Sequence, residues 1–561
     1  MKRLFAIMLA AAMVVALLAV LPLTVSADEP ETTAVWSGKA NIKWYIDGKA
    51  EGAEEWHIKT AEDFAGFARI VNASCNSCYS GVYYDANYDV LGYQRTSDSE
   101  QKPYAVSSLC YKPSAGDGSQ LVEGYDFQFE NVYLDADIVL NTGNAADWGE
   151  TPPANVWLPI GGNVPDSATS AAFSGIFQGE GHTVSGAYFI ADATKSVGLI
   201  GLFGCVGKAS NSQFRNLTLE NSYFSGTFQT GTICGRSAGT VTFKNCQVKN
   251  CYVVGAIEDG VMKSGQQLGG LVGGVYKGGA TIENCGIENV TVDALRYVGG
   301  FIGTSVGQTV TVKNSYVTGT VTARTWDVPK ADDPETVSHL YGCEAGIIAG
   351  RAAGGTYSVE NVYMNVKINQ LGKAEDQTGD NLAQAGVFYA GKGSVSNYPA
   401  LWYEGIYCVM DFTAEKIVGI DEIEGFKPLD ELDFTMITAD KLDSVTGPAA
   451  ALTMVEFDFD TIWEATESGM PQLRFAEFLA ADIAARDAEE DDEDENYNTR
   501  PVTPGKTVET TTTAAPTATE TPGATENTEA KKGCGSVIVG LPAVGSILLL
   551  GAVLLRKKKE D

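Results

Sequence analysis

A short apolar run bracketed by glycines recurs four times in this chain, and each time an asparagine follows ten or eleven residues after the closing glycine. The copies are Gly231-Thr-Ile-Cys-Gly235 with Asn245, Gly269-Gly-Leu-Val-Gly273 with Asn284, Gly299-Gly-Phe-Ile-Gly303 with Asn314, and Gly346-Ile-Ile-Ala-Gly350 with Asn361. After each asparagine, apolar and polar residues alternate, as in Asn314-Ser-Tyr-Val-Thr-Gly-Thr-Val-Thr322, a period-2 pattern of strand formers. An earlier copy surrounds Asn216. A unit of about 30 to 47 residues that holds short strands between turns cannot bury its apolar face alone, so the copies must stack. The expected fold is all-β: a parallel β-helix-type solenoid.

Stacking assigns a role to each repeated residue. The glycines permit positive φ and close backbone approach where the coil corners. The asparagines tolerate a left-handed turn and, in register, can form a ladder of side-chain amides. Replacing one of them with leucine is expected to cost stability locally and to leave any active site untouched.

Composition agrees with strands and turns. The 561 residues include 62 glycines, 24 tyrosines and 22 phenylalanines. A formal charge of -32 argues against a nucleic-acid partner held through phosphates, which needs a basic face.

The ends read as export and attachment. Residues 1–27 combine Lys2 and Arg3, an apolar run from Leu4 to Leu21 and the small-residue exit Val25-Ser26-Ala27, the pattern of a cleaved secretory signal. Residues 28–55 form a lead-in, and the repeat body is expected over 56–475. Residues 476–532 hold the acidic run Asp487 to Glu495 and a segment rich in Thr and Pro, and are expected to form a disordered stalk. The acidic run can also bind calcium weakly, though it lacks the alternation of a dedicated loop. Residues 533–555 are expected to cross the protein's own membrane as a single helix, with the basic tail 556–561 cytoplasmic. Leu541-Pro542-Ala543-Val544-Gly545 resembles a cell-wall sorting signal of Gram-positive bacteria, with Val544 where that pattern has threonine, so wall anchoring is the alternative.

The repeats resemble the GLUG-motif proteins of bacterial surfaces, whose defining element is similar to Gly270 to Gly273. Trp56 to Ala68 resembles the helix that opens such domains, with Thr60 and Asp63 placed to cap it. Phe127 to Leu140, Trp157 to Gly161 and Phe173 to Gly186 resemble the first coils. Phe457 to Trp463 with Met470 to Leu473 resembles the closing segment, and an insertion falls around Asp327 to Val337. The resemblance implies a surface solenoid of adhesin-like character and brings no catalytic residues with it.

The histidines His57, His182 and His339 are scattered and suggest structure more than catalysis. Cys75-Asn-Ser-Cys78 together with Cys110 points to one disulfide in an exported loop. Cys205, Cys234, Cys246, Cys251 and Cys285 fall at rung positions and are expected as buried thiols. Tyr252, Tyr276, Tyr316 and Tyr363 are candidates for stacking on sugar rings, with core packing as the competing reading. No cofactor and no catalytic residue is assigned. The function expected is adhesion or surface interaction with a glycan or with a host or neighbouring-cell protein. The alternatives are a polysaccharide lyase or glycosidase using groove carboxylates, and a structural coat.

Overall fold

The computed structural model describes residues 33–74, 79–95, 110–162, 171–193, 198–207, 211–324, 327–329, 337–339, 344–371, 384–391, 399–413 and 434–499, without the side chains of 95, 327–329, 337–339, 370–371, 384, 391, 410–413, 434, 436, 439 and 489–499. The chain divides into Met1–Glu493 and Asp494–Asp561, and the features below belong to the first unit. The expected signal, the Thr/Pro-rich segment and the membrane helix lie outside the described residues. Among the described residues, no helix is long and apolar enough to cross a membrane.

The fold is mostly β and built from long parallel sheets in a β-helix-like arrangement. One coil runs through Ser212–Arg215, Thr218–Glu220, Tyr223–Gly226, Phe228–Thr230 and Cys234–Ser237 before Val241–Lys244 begins the next. Each strand pairs in parallel with its counterpart one coil on, giving an 18-stranded sheet and two six-stranded sheets. The register aligns Phe177, Phe214, Phe243, Ile282, Val312 and Val359 in one column. All six are fully buried. Alternation explains this column, because every second residue of these strands faces the coil interior.

The asparagines form the ladder. Asn216, Asn245, Asn284, Asn314 and Asn361 have φ of 51°, 55°, 52°, 46° and 53°, the left-handed region that asparagine tolerates. Each Nδ2 donates to the Oδ1 of the preceding member, at 3.0, 3.1, 3.2 and 3.3 Å. A second corner repeats the device at Asn221, Asn250 and Asn289, with φ of 45°, 53° and 51°, and Asn289 Nδ2 donates to Asn250 Oδ1 at 2.7 Å. Gly319 takes that corner in the next coil, at φ 128°.

The repeat glycines act differently from the expectation of positive φ. None of Gly231, Gly235, Gly269, Gly273, Gly299, Gly303, Gly346 or Gly350 is left-handed. They are needed because backbones touch. A Cβ on Gly231 would stand 2.8 Å from Gly273 N, on Gly269 2.6 Å from Gly303 N, and on Gly299 2.8 Å from Gly350 N. On Gly273 and Gly303 it would meet the carbonyl of the corresponding glycine one coil back, at 2.6 and 2.5 Å. The opening glycine of one coil thus interlocks with the closing glycine of its neighbour. The left-handed residues of this arm are instead Gln229, Gln267 and Tyr297.

A helix, Ala61–Ala73, covers the N-terminal opening. Thr60 Oγ1 accepts from Asp63 N and Asp63 Oδ2 accepts from Thr60 N, both at 3.1 Å, a reciprocal capping box. Trp56 belongs to the preceding strand Glu55–Ile58 rather than to this helix. Phe64 stacks on Trp157 at 4.9 Å and Phe67 on Phe177 at 6.0 Å. Asn72, buried to 2% exposure, donates to Pro159 O and accepts from Gly161 N, fastening the helix to the first coils. The lead-in is folded too, with a helix at Lys43–Glu51 and a bridge from Val35 to Val139.

The folded body also extends past 475, where a disordered stalk was expected. A helix spans Phe475–Thr499, and its first turns dock on the early coils. Asp482 accepts from Asn216 Nδ2 at 2.9 Å and pairs with Arg215 at 3.3 Å, while Arg486 pairs with Glu180 at 2.8 Å. Leu479 lies against Gly181. The reason is that Phe475, Phe478 and Leu479 give this stretch a brief apolar stripe before the acidic run begins.

The glycine interlock predicts that Gly273→Ala lowers stability by about 1–3 kcal/mol or more, since backbone rather than a movable side chain must give way. Thermal and denaturant unfolding followed by circular dichroism measures this; an unchanged midpoint contradicts the interlock.

Candidate functional site

Coil insertions concentrate at one corner. Between the third strand of a coil and its glycine arm, one coil has only Thr227 and another only Leu295. At the same place others carry residues 256–265 and the described strands 327–329 and 337–339. The first insertion holds the hairpin Ile257–Glu258 with Val261–Met262, the second the hairpin Asp327–Pro329 with Val337–His339. In stacked-repeat proteins, insertions that gather on one side commonly mark the binding face.

Beside this corner the third strands present an outward column of Tyr188, Tyr223, Tyr252, Thr291, Thr320 and Lys367. The tyrosine rings follow one another at 6.1 and 6.2 Å. Trp148 meets Tyr188 edge-on and Met262 of the first hairpin packs against the group, so Tyr188 and Tyr223 are buried while Tyr252 stays half-exposed. The neighbouring column continues through Asp293 and Thr322. Arg324 grips Asp293 with two hydrogen bonds of 2.6 and 2.7 Å, which also raises the arginine's pKa. Ile257 and Val261 at the rim are 45% and 54% exposed. The strip therefore offers one aromatic face, a row of hydroxyls, an ordered ion pair and an apolar rim, the equipment of a binding surface.

The four candidate tyrosines separate. Tyr252 lies on the strip. Tyr276 sits on the glycine arm, its hydroxyl donating to Gln267 Oε1 at 2.7 Å and its ring under Arg236. Tyr316 and Tyr363 are buried at 3% and 2% exposure and cannot stack on a ligand. They do point outward from the coil, but the chain from 434 to 473 folds over them. Their rings stack at 4.9 Å, Trp463 packs on both, and Tyr363 donates to Pro471 O at 2.9 Å. Val317, the neighbour of Tyr316, packs inside the coil, so alternation holds although both are buried.

The twelve repeat residues are structural. His57 pairs with Asp135 at 2.9 Å and His182 with Asp137 at 3.2 Å. The side chain of His339 and residues Cys75 and Cys78 lie outside the described set. Cys205, Cys234, Cys246, Cys251 and Cys285 are buried, and burial pushes the Cys251 thiol up to about 12. Cys246 Sγ contacts Phe214 O at 3.3 Å, the role of a small core side chain. Among the described residues, no three of His, Cys, Asp or Glu gather as a metal site. Sequence reasoning missed the second asparagine ladder, although its signal is plain: each member follows a first-ladder asparagine by five residues.

No family model matches the chain. Halomucin of Haloquadratum walsbyi is 28% identical over 219 residues, which is 38% of this chain and 2% of halomucin, so the similarity spans a small part of that protein. A solved structure from Bacteroides ovatus, provisionally named an immunoglobulin A1 protease, aligns with 63% of this chain and 87% of its own at 15% identity. Its TM-score is 0.34.

The burial difference predicts that Tyr363→Ala costs about 3–5 kcal/mol, as for other large core truncations, and frees the closing segment to proteolysis. Tyr252→Ala should leave unfolding nearly unchanged. Denaturant titration with limited proteolysis distinguishes the two; equal costs contradict the assignment.

Proposed function

We propose that this protein is an exported repeat protein displayed on the outer face of the cell membrane, where its parallel β-helix-type body binds a glycan or protein ligand. In this reading, residues 1–27 are a removed signal, the chain beyond the docked helix is a spacer, and residues 533–555 hold the protein in its membrane with a cytoplasmic C-terminus. The repeats are of the GLUG type. The observation that carries the binding role is the gathering of coil insertions at one corner, beside a strip that leaves Tyr252 half-exposed. The stretch similar to halomucin names no ligand.

The ligand-facing elements are Tyr252, Thr291, Thr320 and the Asp293–Arg324 pair, with the rim residues Ile257 and Val261. An aromatic ring beside ordered hydroxyls suits a sugar, whose apolar face can stack while its hydroxyls hydrogen-bond. The test is a glycan array and a polysaccharide-degradation assay on the full chain in mild detergent, with and without calcium. Retention without product release, lost about tenfold or more in Tyr252→Ala, is the expected outcome. Release of oligosaccharides contradicts it and favours a lyase or hydrolase. A calcium-dependent signal would assign the acidic run a metal-binding role.

A further inference from the structure

On the glycine arm, the left-handed residues Leu199, Gln229, Gln267 and Tyr297 face a parallel column of Cys205, Arg236, Gly274, Thr304 and Arg351. At its N-terminal end this seam is apolar, with Leu199 and Cys205 against Ala172. Further along it becomes cationic. The Arg236 guanidinium lies 4.3 Å from the Tyr276 ring centre, and those of Arg296 and Arg351 lie 4.1 and 5.1 Å from that of Tyr297. Three guanidiniums thus share two rings, and the carboxylate paired with one of them is Glu344, 3.5 Å from Arg296. Burial pushes the Glu344 carboxyl up to about 7, against the pull of both neighbouring arginines.

Arg236 and Arg351 are held by aromatic faces, and among the described residues neither donates to a protein acceptor. Their Nε atoms are buried and unmet, as is the hydroxyl of the fully buried Thr304 between Gly274 and Arg351 in the same column. A buried Nε left without an acceptor is costly in a folded protein. It is more notable in a chain with 71 acidic and 39 basic residues. A guanidinium fixed by its face presents its edge, the geometry that receives a planar carboxylate through two hydrogen bonds.

We propose that this arginine–tyrosine seam binds the carboxylate of an acidic sugar, the uronate of an otherwise sparsely charged glycan. A net charge of -32 repels dense polyanions, so nucleic acid and heavily sulfated chains fit poorly, whereas a single carboxylate reaching a local cationic seam does not meet that barrier to the same degree. The proposal rests on the glycan-binding reading above and names its ligand class, at a site distinct from the Tyr252 strip.

The experiment is calorimetric titration of the full chain in mild detergent with an aldobiouronic acid, one glucuronate on a neutral xylose, and with its methyl ester. Binding of the acid, at least tenfold weaker for the ester, is expected. The Arg236→Gln/Arg351→Gln double variant should weaken binding of the acid at least tenfold, while Lys59→Gln, just before the N-terminal helix and outside both strips, should not. If a glutamine variant fails to fold, Arg351→Lys keeps the charge but loses the fork and is expected to bind with an intermediate loss. Equal binding of acid and ester, retained affinity in the folded variants, or no binding of the acid overturns the seam as a uronate site. If neutral glycans still bind through Tyr252, the general reading survives that failure; if nothing binds, both fall.

Discussion

Where two successive coils meet at the glycine arm, backbone touches backbone, and every other feature is organised around that contact. A Cβ at Gly269 or Gly303 would stand within 2.6 Å of a main-chain atom of the adjoining coil, so the arm tolerates no side chain there. The contact fixes the register between coils, because a slip of one residue would bring a bulky neighbour such as Ile302 into the place of Gly303. With register fixed, apolar side chains fall into continuous columns and polar ones into outward rows. The asparagine ladders then become possible, since identical amides meet only when coils are aligned.

The ladder also explains why the C-terminal helix docks where it does. All first-ladder bonds run the same way, each Nδ2 donating toward the N-terminal side, so the series must end with an unmet donor on Asn216. A carboxylate, which only accepts when ionised, is the complementary cap, and Asp482 supplies it. Arg215 and Arg486 balance the charge introduced. At the other end, Gly405 stands over Asn361 where the series stops. Stacked repeats need such terminal devices, because each coil otherwise exposes the face that its neighbour would have covered.

Much of this was legible in the sequence and some was not, for identifiable reasons. The repeat, the strand alternation, the ladder asparagines and the Thr60–Asp63 cap are local signals and appear in place. Close approach at the glycines was foreseen, whereas positive φ was misassigned, since the turn's left-handed residues are Gln229, Gln267 and Tyr297, which no propensity marks. The burial of Tyr363 depends on a segment 108 residues away and has no local signature. The docked helix was hidden because its apolar stripe is brief and runs directly into an acidic stretch. Arg236 and Arg351 each directly follow a closing glycine, a shared repeat position that went unread, whereas Arg296 and the rings of Tyr276 and Tyr297 join them only through the coil stacking.

The central claim is the register of the stack, and short-range cross-linking tests it most directly. Thr281 and Thr311 face outward on adjacent coils and stand opposite each other, while Lys313 lies two positions on, opposite Glu283. In the Thr281→Cys/Thr311→Cys variant, dibromobimane should join the two cysteines efficiently, mapped by peptide mass spectrometry, and the Thr281→Cys/Lys313→Cys pair should react much less. Preferential linkage of the second pair, or none in the first, would contradict the stacked register.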